Sequence, residues 1–435
     1  MMSARFILFL LPVICMVSCS KEAHPEADRL PEAAVTRIKK AAPLVVADGF
    51  IWGINGHPLT QEAYKNNIEL QLNLVQKMGM SYYRVDVPTD TNGVVIQQAV
   101  MDELLHKSAA RNISLLPMLY LTGWQKSSNE ADAFRRGRKI GFSFASVYSS
   151  HFHYYEMGNE EERKILKGGH GDKTTDYDLQ QFKLLAAFFK GMYEGIKAVD
   201  PAAQTIIDNS GWLHYGYFQL LRDYNVPYDI LGLHWYSDMG DLDNAKGHGD
   251  ILSIVSSFQK PVWITEINRR HGSWNSDGTS AEEDQRAWMD RYMLQLHQRK
   301  QVKAFFVYEL LDEPAFADKS KPAYNPSESV YGVVNWVSRY TTYTFKPLFA
   351  AMQYRIEETQ YGNEDFLRAV YRKLYATEAG VQWLHYWLQR LASGVTAEQV
   401  VAVLLKDAGQ SATLAADLLS ETFWKEAIIY GFTHR

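Results

Sequence analysis

Two glutamates fall at the C-terminal ends of two predicted strands, in His153-Tyr-Tyr-Glu-Met-Gly-Asn-Glu160 and Pro261-Val-Trp-Ile-Thr-Glu266. A pair of carboxyl groups can divide the work of breaking a glycosidic bond. One protonates the leaving oxygen and the other attacks or shields the anomeric carbon. Other carboxylates compete for these places. Glu156 shares the first strand, and Glu161 and Glu162 follow Glu160 directly, so a strand running one residue differently puts Glu161 forward. His151 and His153 set two imidazoles on one strand face, the beginning of a zinc site, but no third ligand is adjacent. No metal or other cofactor is expected. No glycine-rich phosphate loop follows a strand, and no nucleophilic serine elbow is present.

Elements that would position the glutamates recur along the chain. Short apolar runs at Phe50–Asn55, Tyr82–Val87, Ile113–Tyr120, Phe152–Met157, Thr205–Asn209, Ile230–Tyr236, Val262–Glu266 and Ala304–Leu310 read as strands. Helical patterns lie between them. Asp178 to Val199 is the clearest, stopped by Asp200-Pro201, and Ser280 with Glu283 forms a capping box. Parallel neighbours need crossover connections, and eight such units fit a closed (β/α)8 barrel better than an open sheet. The fold class is therefore α/β, a barrel over residues 43–360 with active-site residues at the C-terminal strand ends. The stretch Asp312 to Val337 reads as a long loop that walls the cleft. Residues 361–435 hold only helical patterns, at Phe366–Tyr375, Val381–Ser393, Thr396–Lys406 and Ala412–Tyr430, and predict a small all-α bundle.

The N-terminus has the form of a targeting segment. Arg5 precedes an apolar run from Phe6 to Val17 that is too short to span a membrane permanently. The following Met16-Val-Ser-Cys19-Ser resembles the bacterial lipobox. That resemblance implies a signal peptide over 1–18, lipid attachment at Cys19 and a tether over 19–42. It also implies export across the inner membrane, with a lipid anchor to a bacterial membrane facing periplasm or exterior. The chain's two cysteines, Cys15 and Cys19, both lie here, so the rest has no disulfide or thiolate chemistry. With a formal net charge of −5 and mixed charges, no basic nucleic-acid face is present.

Gly158-Asn159-Glu160 and Ile264-Thr265-Glu266 resemble the acid/base and nucleophile motifs of glycoside hydrolase clan A, on the fourth and seventh strands. The resemblance spans about Phe50 to Arg355. It implies retaining hydrolysis of a β-linked glycan, with Glu266 as nucleophile and Glu160 as acid/base. Arg84 matches the arginine that bonds the nucleophile, and Asn159 the asparagine that bonds the sugar 2-hydroxyl. His234 and Tyr236 alternate on the sixth strand and so face one way, resembling residues that hold nucleophile or substrate. Trp235 is a further candidate for substrate binding. Tyr308 stands where many members place a stacking tryptophan, and the run Tyr308-Glu-Leu-Leu-Asp-Glu-Pro314 is most similar to family thirty-nine. The C-terminal helices are similar to a bacterial module of unknown function.

Other assignments stay open at this level. Trp52, Trp124, Trp212 and Trp274 are either sugar platforms or packing groups. Arg269, Arg270 and His271 are a solvated run or a contact for an acidic sugar. Glu160 should carry a raised pKa to hold its proton near neutrality. The expected partner is an oligo- or polysaccharide. The alternatives are a non-catalytic carbohydrate-binding barrel and a surface scaffold whose C-terminal bundle does the binding.

Overall fold

The computed structural model describes residues 49–270, 278–411 and 413–434. The signal segment, Cys19, the tether, His271 and Trp274 lie outside them, as does the Ser280 side chain. Eight parallel strands close into a barrel: β1 (Ile51–Gly56), β2 (Tyr82–Val87), β3 (Ser114–Leu119), β4 (Tyr154–Met157), β5 (Gln204–Ile207), β6 (Ile230–Tyr236), β7 (Val262–Asn268) and β8 (Val302–Val307). Closure is made by β8 pairing with β1, Phe305 opposite Trp52.

Helices cover the barrel: α1 (Ile68–Lys77), α2 (Gln98–Ala109), α3 (Glu130–Tyr148), α4 (Leu179–Val199), α5 (Tyr215–Asp223), α6 (Ile251–Ser256), α7 (Gly278–His297) and α8 (Pro347–Tyr375). The α3–α4 pair has a reciprocal glycine seam. A Cβ on Gly137 would meet the Phe188 carbonyl oxygen at 2.0 Å, and one on Gly191 the Phe134 carbonyl oxygen at 2.0 Å. Gly141 and Gly195 repeat the relation one turn on, against Met192 and Arg138. Backbone meets backbone there, so side chains larger than hydrogen have no room.

Inside the barrel the strands lay down two kinds of floor. Leu116, Ile206, Ile230, Trp263, Ala304 and Phe306 form an apolar plug. Above it, toward the C-terminal strand ends, come Asn55, Arg84, Glu156, Asp208, His234 and Glu266, all buried. One irregularity is decisive for this upper layer. Leu233 pairs with Ile264 but His234 pairs with Glu266, so β7 carries an extra residue at Thr265. The same extra residue separates its pairs with β8. Such a bulge reverses the alternation of side chains, which lets Glu266 share the inner face with Trp263. Asn55 Nδ2 secures the bulge by donating to the Thr265 and Val307 carbonyls at 3.0 and 3.1 Å.

The connection after β8 is not simply a loop. It contains a hairpin of β9 (Val334–Ser338) and β10 (Thr342–Phe345), held to the preceding segment by the buried Lys346–Asp312 ion pair at 2.7 Å. Helical patterns at Phe345–Ile356 and Phe366–Tyr375 read as separate in the sequence; the structure joins them in α8, through the expected boundary at 360/361. The cores still divide along it. Leu348, Phe349, Met352 and Ile356 join the barrel core, while Phe366, Leu367 and Val370 join a second cluster. That cluster is completed by α9 (Val381–Ala392), α10 (Ala397–Asp407), α11 (Leu414–Leu418) and α12 (Glu421–His434). Among the described residues no helix is long and apolar enough to cross a membrane.

Candidate active site

Glu266 and Glu160 reach the same cavity by different routes. Glu266 stands on β7 itself. Its Oε1 accepts from Arg84 Nη1 at 2.8 Å and its Oε2 from the Tyr236 hydroxyl at 2.8 Å. Two donors on two oxygens fix the carboxyl plane. Glu160 sits three residues past β4, after Gly158 at φ 86°. Its own φ is 50°, a left-handed conformation that costs a non-glycine residue of order 1–3 kcal/mol. The turn is clamped by the Glu160 N–H donating to Asp208 Oδ1 at 2.8 Å. One oxygen of Glu160 and one of Glu266 lie within 4.8 Å of each other, with His234 between them.

Arg84 organises the floor. Besides Glu266 it donates to Asn55 Oδ1 at 2.6 Å and Asn159 Oδ1 at 2.8 Å, and its Nε is bonded to Glu156. Asp208 lies 3.6 Å from its Nη2. His234 bridges the two carboxyl groups, with Nδ1 3.0 Å from Glu160 Oε1 and 3.4 Å from Glu266 Oε2, while Nε2 is 3.4 Å from Asp208. Burial favours neutral imidazole, but Glu266, Asp208 and Glu160 outweigh it and push the His234 pKa well up. The same contacts act in reverse on Glu160. Burial alone would raise it, yet the hydrogen bond and charge of His234, then Arg163 at 2.6 Å, hold it at about 2. The expected raised pKa at Glu160 is therefore not what this structure shows. The same contacts push the neighbouring His234 toward its protonated form. Glu156, beneath, is pushed to about 7 by burial and by Asp208, against the pull of Arg84.

The cavity measures about 440 Å³. Its opposite wall contains His57, Asp86 and Tyr308. His57 bridges Asp86 and Glu309 at 3.2 Å each. Burial would lower its pKa, but Asp86 and then Glu309 raise it to about 10. Tyr308 lines the cavity and meets His57 and Tyr236 edge-on at 5.5 and 6.2 Å between ring centroids.

The structure thus brings together Glu160, Glu266, Arg84, Asn159, His234, Tyr236 and Tyr308. It leaves Trp235 out. That ring is fully buried on the opposite face of β6, its Nε1 donating to the Gly240 carbonyl at 2.9 Å. Alternation along the strand, which aligns His234 with Tyr236, sends Trp235 outward. Trp52 and Trp124 are likewise core groups. Glu161 and Glu162 are anchors rather than cavity groups. Glu161 accepts from Trp124 Nε1 at 2.8 Å, and Glu162 accepts from the Ser210 N–H at 2.7 Å. His151 and His153 are exposed at the N-terminal end of β4, away from the cavity. Arg270 is not a merely solvated residue, because it lies 4.9 Å from the Tyr236 ring at the cavity wall.

Asn55, Asp208, His57, Asp86 and Arg163 were not foreseen. The parity of β1, β2 and β5 holds the signal for the first four; Arg163 is placed by a turn with none. Glu160, His234 and Glu266 each offer one atom in ligand range, as do Glu156, Asp208 and His234. Arg84 supplies positive charge beside both groups, to Glu266 in the first and Glu156 in the second.

Residues 179–325 match the family described as glycosyl hydrolase catalytic core, a stretch that holds β5 to β8 and Glu266 but not Glu160. No curated protein matches the chain in sequence. Among solved structures, virulence factor SghA from Agrobacterium tumefaciens superposes with TM-score 0.50 at 12% identity, covering 72% of this chain and 98% of its own. The AHE enzyme from Alicyclobacillus herbarius gives 0.51 at 13%, covering 72% and 97%. A beta-glucosidase from Thermotoga maritima gives 0.50 at 15%, again covering 72% and 97%. At such identities the likeness establishes the barrel. Residues 179–325 are thus similar to a glycosyl hydrolase catalytic core, and they lie in a closed barrel whose C-terminal strand ends carry carboxyl groups.

Proposed function

We propose that the protein is a retaining hydrolase of a β-linked glycan, with Glu266 as nucleophile and Glu160 as acid/base. The observation that carries this reading is that one oxygen of each carboxyl group lies within 4.8 Å of an oxygen of the other, which leaves no room for the intervening water of an inverting site. Retaining enzymes hold them about 5–5.5 Å apart, whereas inverting enzymes leave about 6.5–9.5 Å for a water.

In the first step a Glu266 oxygen attacks the anomeric carbon. The bond to the glycosidic oxygen breaks, and that oxygen takes a proton from Glu160. In the second step water attacks the same carbon, Glu160 accepts its proton, and Glu266 departs with the bonding electrons. His234 is the source from which Glu160 is charged, its Nδ1–H lying 3.0 Å from Oε1. Arg84 and Tyr236 orient Glu266. Because Arg84 occupies the Asn159 carbonyl, the Asn159 amide NH₂ is the group left for a sugar hydroxyl. Tyr308 offers an apolar face. The β-linkage rests on the clan resemblance.

Hydrolysis of a panel of aryl β-glycosides tests the reading. Glu266→Gln and Glu160→Gln should each lower turnover by about 10²–10⁴-fold or more. Full activity in either would rule the assignment out. We further propose that Cys19 anchors the protein by a lipid, so that Cys19→Ser moves it from the membrane to the soluble fraction.

A further inference from the structure

A second cavity of about 550 Å³ adjoins the catalytic one. The two share Glu160, Arg163, Tyr236 and Arg270, whereas Glu266 lines the catalytic cavity alone. An acid that protonates the departing oxygen must face the departing sugar. On the glycosidase reading, on which this inference rests, the space beyond Glu160 receives the leaving group.

The walls of that space are unusual in their charge. Among the described residues, Arg163, Lys246 and Arg270 line it with Glu160 and Asp238 as the only carboxylates. Arg163 is paired with Glu160 at 2.6 Å and Arg270 with Asp238 at 3.1 Å. Among the described residues the partner of Lys246 is a ring, not a carboxylate: its Nζ stands 4.5 Å from the Trp212 centroid. Both residues adopt φ 50°, and Trp212 follows Gly211 at φ 80°. A bulky left-handed tryptophan is rare and costs energy. The turn is forced because a Cβ at Gly211 would sit 2.2 Å from the His234 carbonyl oxygen. It holds the indole 36% exposed at the cavity.

We propose that this cavity is a leaving-group subsite for an anionic sugar, its carboxylate or sulfate ester held by Lys246, Arg163 and Arg270 and its ring set beside Trp212. When Glu160 takes up a proton to act as acid, Arg163 loses its counter-charge. An anion on the leaving sugar replaces it. The same exchange removes one of the two contacts that keep Glu160 ionised, so recognition of the leaving sugar also favours protonation of the acid.

The test is binding of glucuronate, glucose 6-sulfate and glucose to the full chain and its Glu266→Gln variant, followed by ligand-observed NMR. At least one anion should bind about 10-fold more tightly than glucose, the worth of one hydrogen bond to a charged group. Lys246→Ala should abolish that margin while leaving aryl β-glycoside hydrolysis, whose leaving group carries no sugar, unchanged. Arg270→Ala, judged on binding alone, is a second variant. Preference for glucuronate assigns the subsite to uronates, and preference for glucose 6-sulfate assigns it to sulfate esters. Equal binding of all three sugars, a margin that survives both substitutions, or equal displacement by acetate overturns the proposal. An intact margin without aryl-glycoside hydrolysis would contradict the glycosidase reading instead.

Discussion

Arg84 and Tyr236 grip opposite oxygens of Glu266, so each can be removed without displacing the other. Tyr236→Phe keeps the ring but takes away one hydrogen bond to a buried carboxyl group. A loss of about 1.5–3 kcal/mol follows if that bond acts on the transition state, which is roughly 10–100-fold in kcat/KM. Unchanged kinetics would remove Tyr236 from the machinery. Arg84→Met should be far worse, because it strips the counter-charge from Glu156 and Glu266 together. Its test is hydrolysis alongside a thermal melt, with both expected to fall. At this scale the sequence spoke through motif and parity. Glu160, Glu266, Arg84, Asn159 and Tyr236 could be placed from them. Trp235 could not serve once His234 and Tyr236 were on the inner face, a consequence already present in the alternation. The ionisation of Glu160 was not legible, since it depends on His234 and Arg163, which come from a different strand and a turn.

Two element-scale features place these residues. One is the bulge at Thr265. The other is the glycine seam between α3 and α4, the helices on either side of β4, whose end carries Glu160. Gly191→Ala must push a methyl into the Phe134 carbonyl, a backbone atom that cannot rotate away. Overpacking of this kind costs about 1–3 kcal/mol, and a thermal melt should show it as a lowered midpoint. An unaltered midpoint would mean the helices are not in backbone contact. The seam was not read from the sequence: Gly137/Gly141 and Gly191/Gly195 repeat at helical spacing, but glycine spacing alone does not name a partner. All eight strands were legible from apolar runs. The β9–β10 hairpin was not, because its exposed residues Val337 and Phe345 break the half-buried alternation that marks a strand. The union of two helical patterns in α8 was also hidden, since the intervening Glu357–Asp365 stretch is polar in sequence though partly buried in the fold.

Over the whole molecule, buried charge makes stability depend on pH from both sides. Glu160 lies at about 2 in the fold against 4.5 ordinarily, so its contribution is present above pH 4.5 and is lost as pH falls through 2. His57 is raised from 6.5 to about 10, so its contribution is whole below pH 6.5 and is lost as pH rises through 10. Glu309, raised by burial from 4.5 to about 7 against the pull of His57, loses its contribution between pH 4.5 and 7. The melting midpoint should therefore be highest near pH 4.5 and fall again toward pH 10, and His57→Gln should flatten the alkaline limb. The C-terminal helices keep their own core, and deletion of residues 363–435 should leave aryl-glycoside turnover in place; its abolition would make those helices part of the catalytic unit. The most direct measurement is the anomeric form of the first product, read by proton NMR during hydrolysis of an aryl β-glycoside before mutarotation sets in. Two displacements at Glu266 and water predict the β-anomer. Appearance of the α-anomer first would mean a single displacement, and would contradict the assignment of Glu266 as nucleophile.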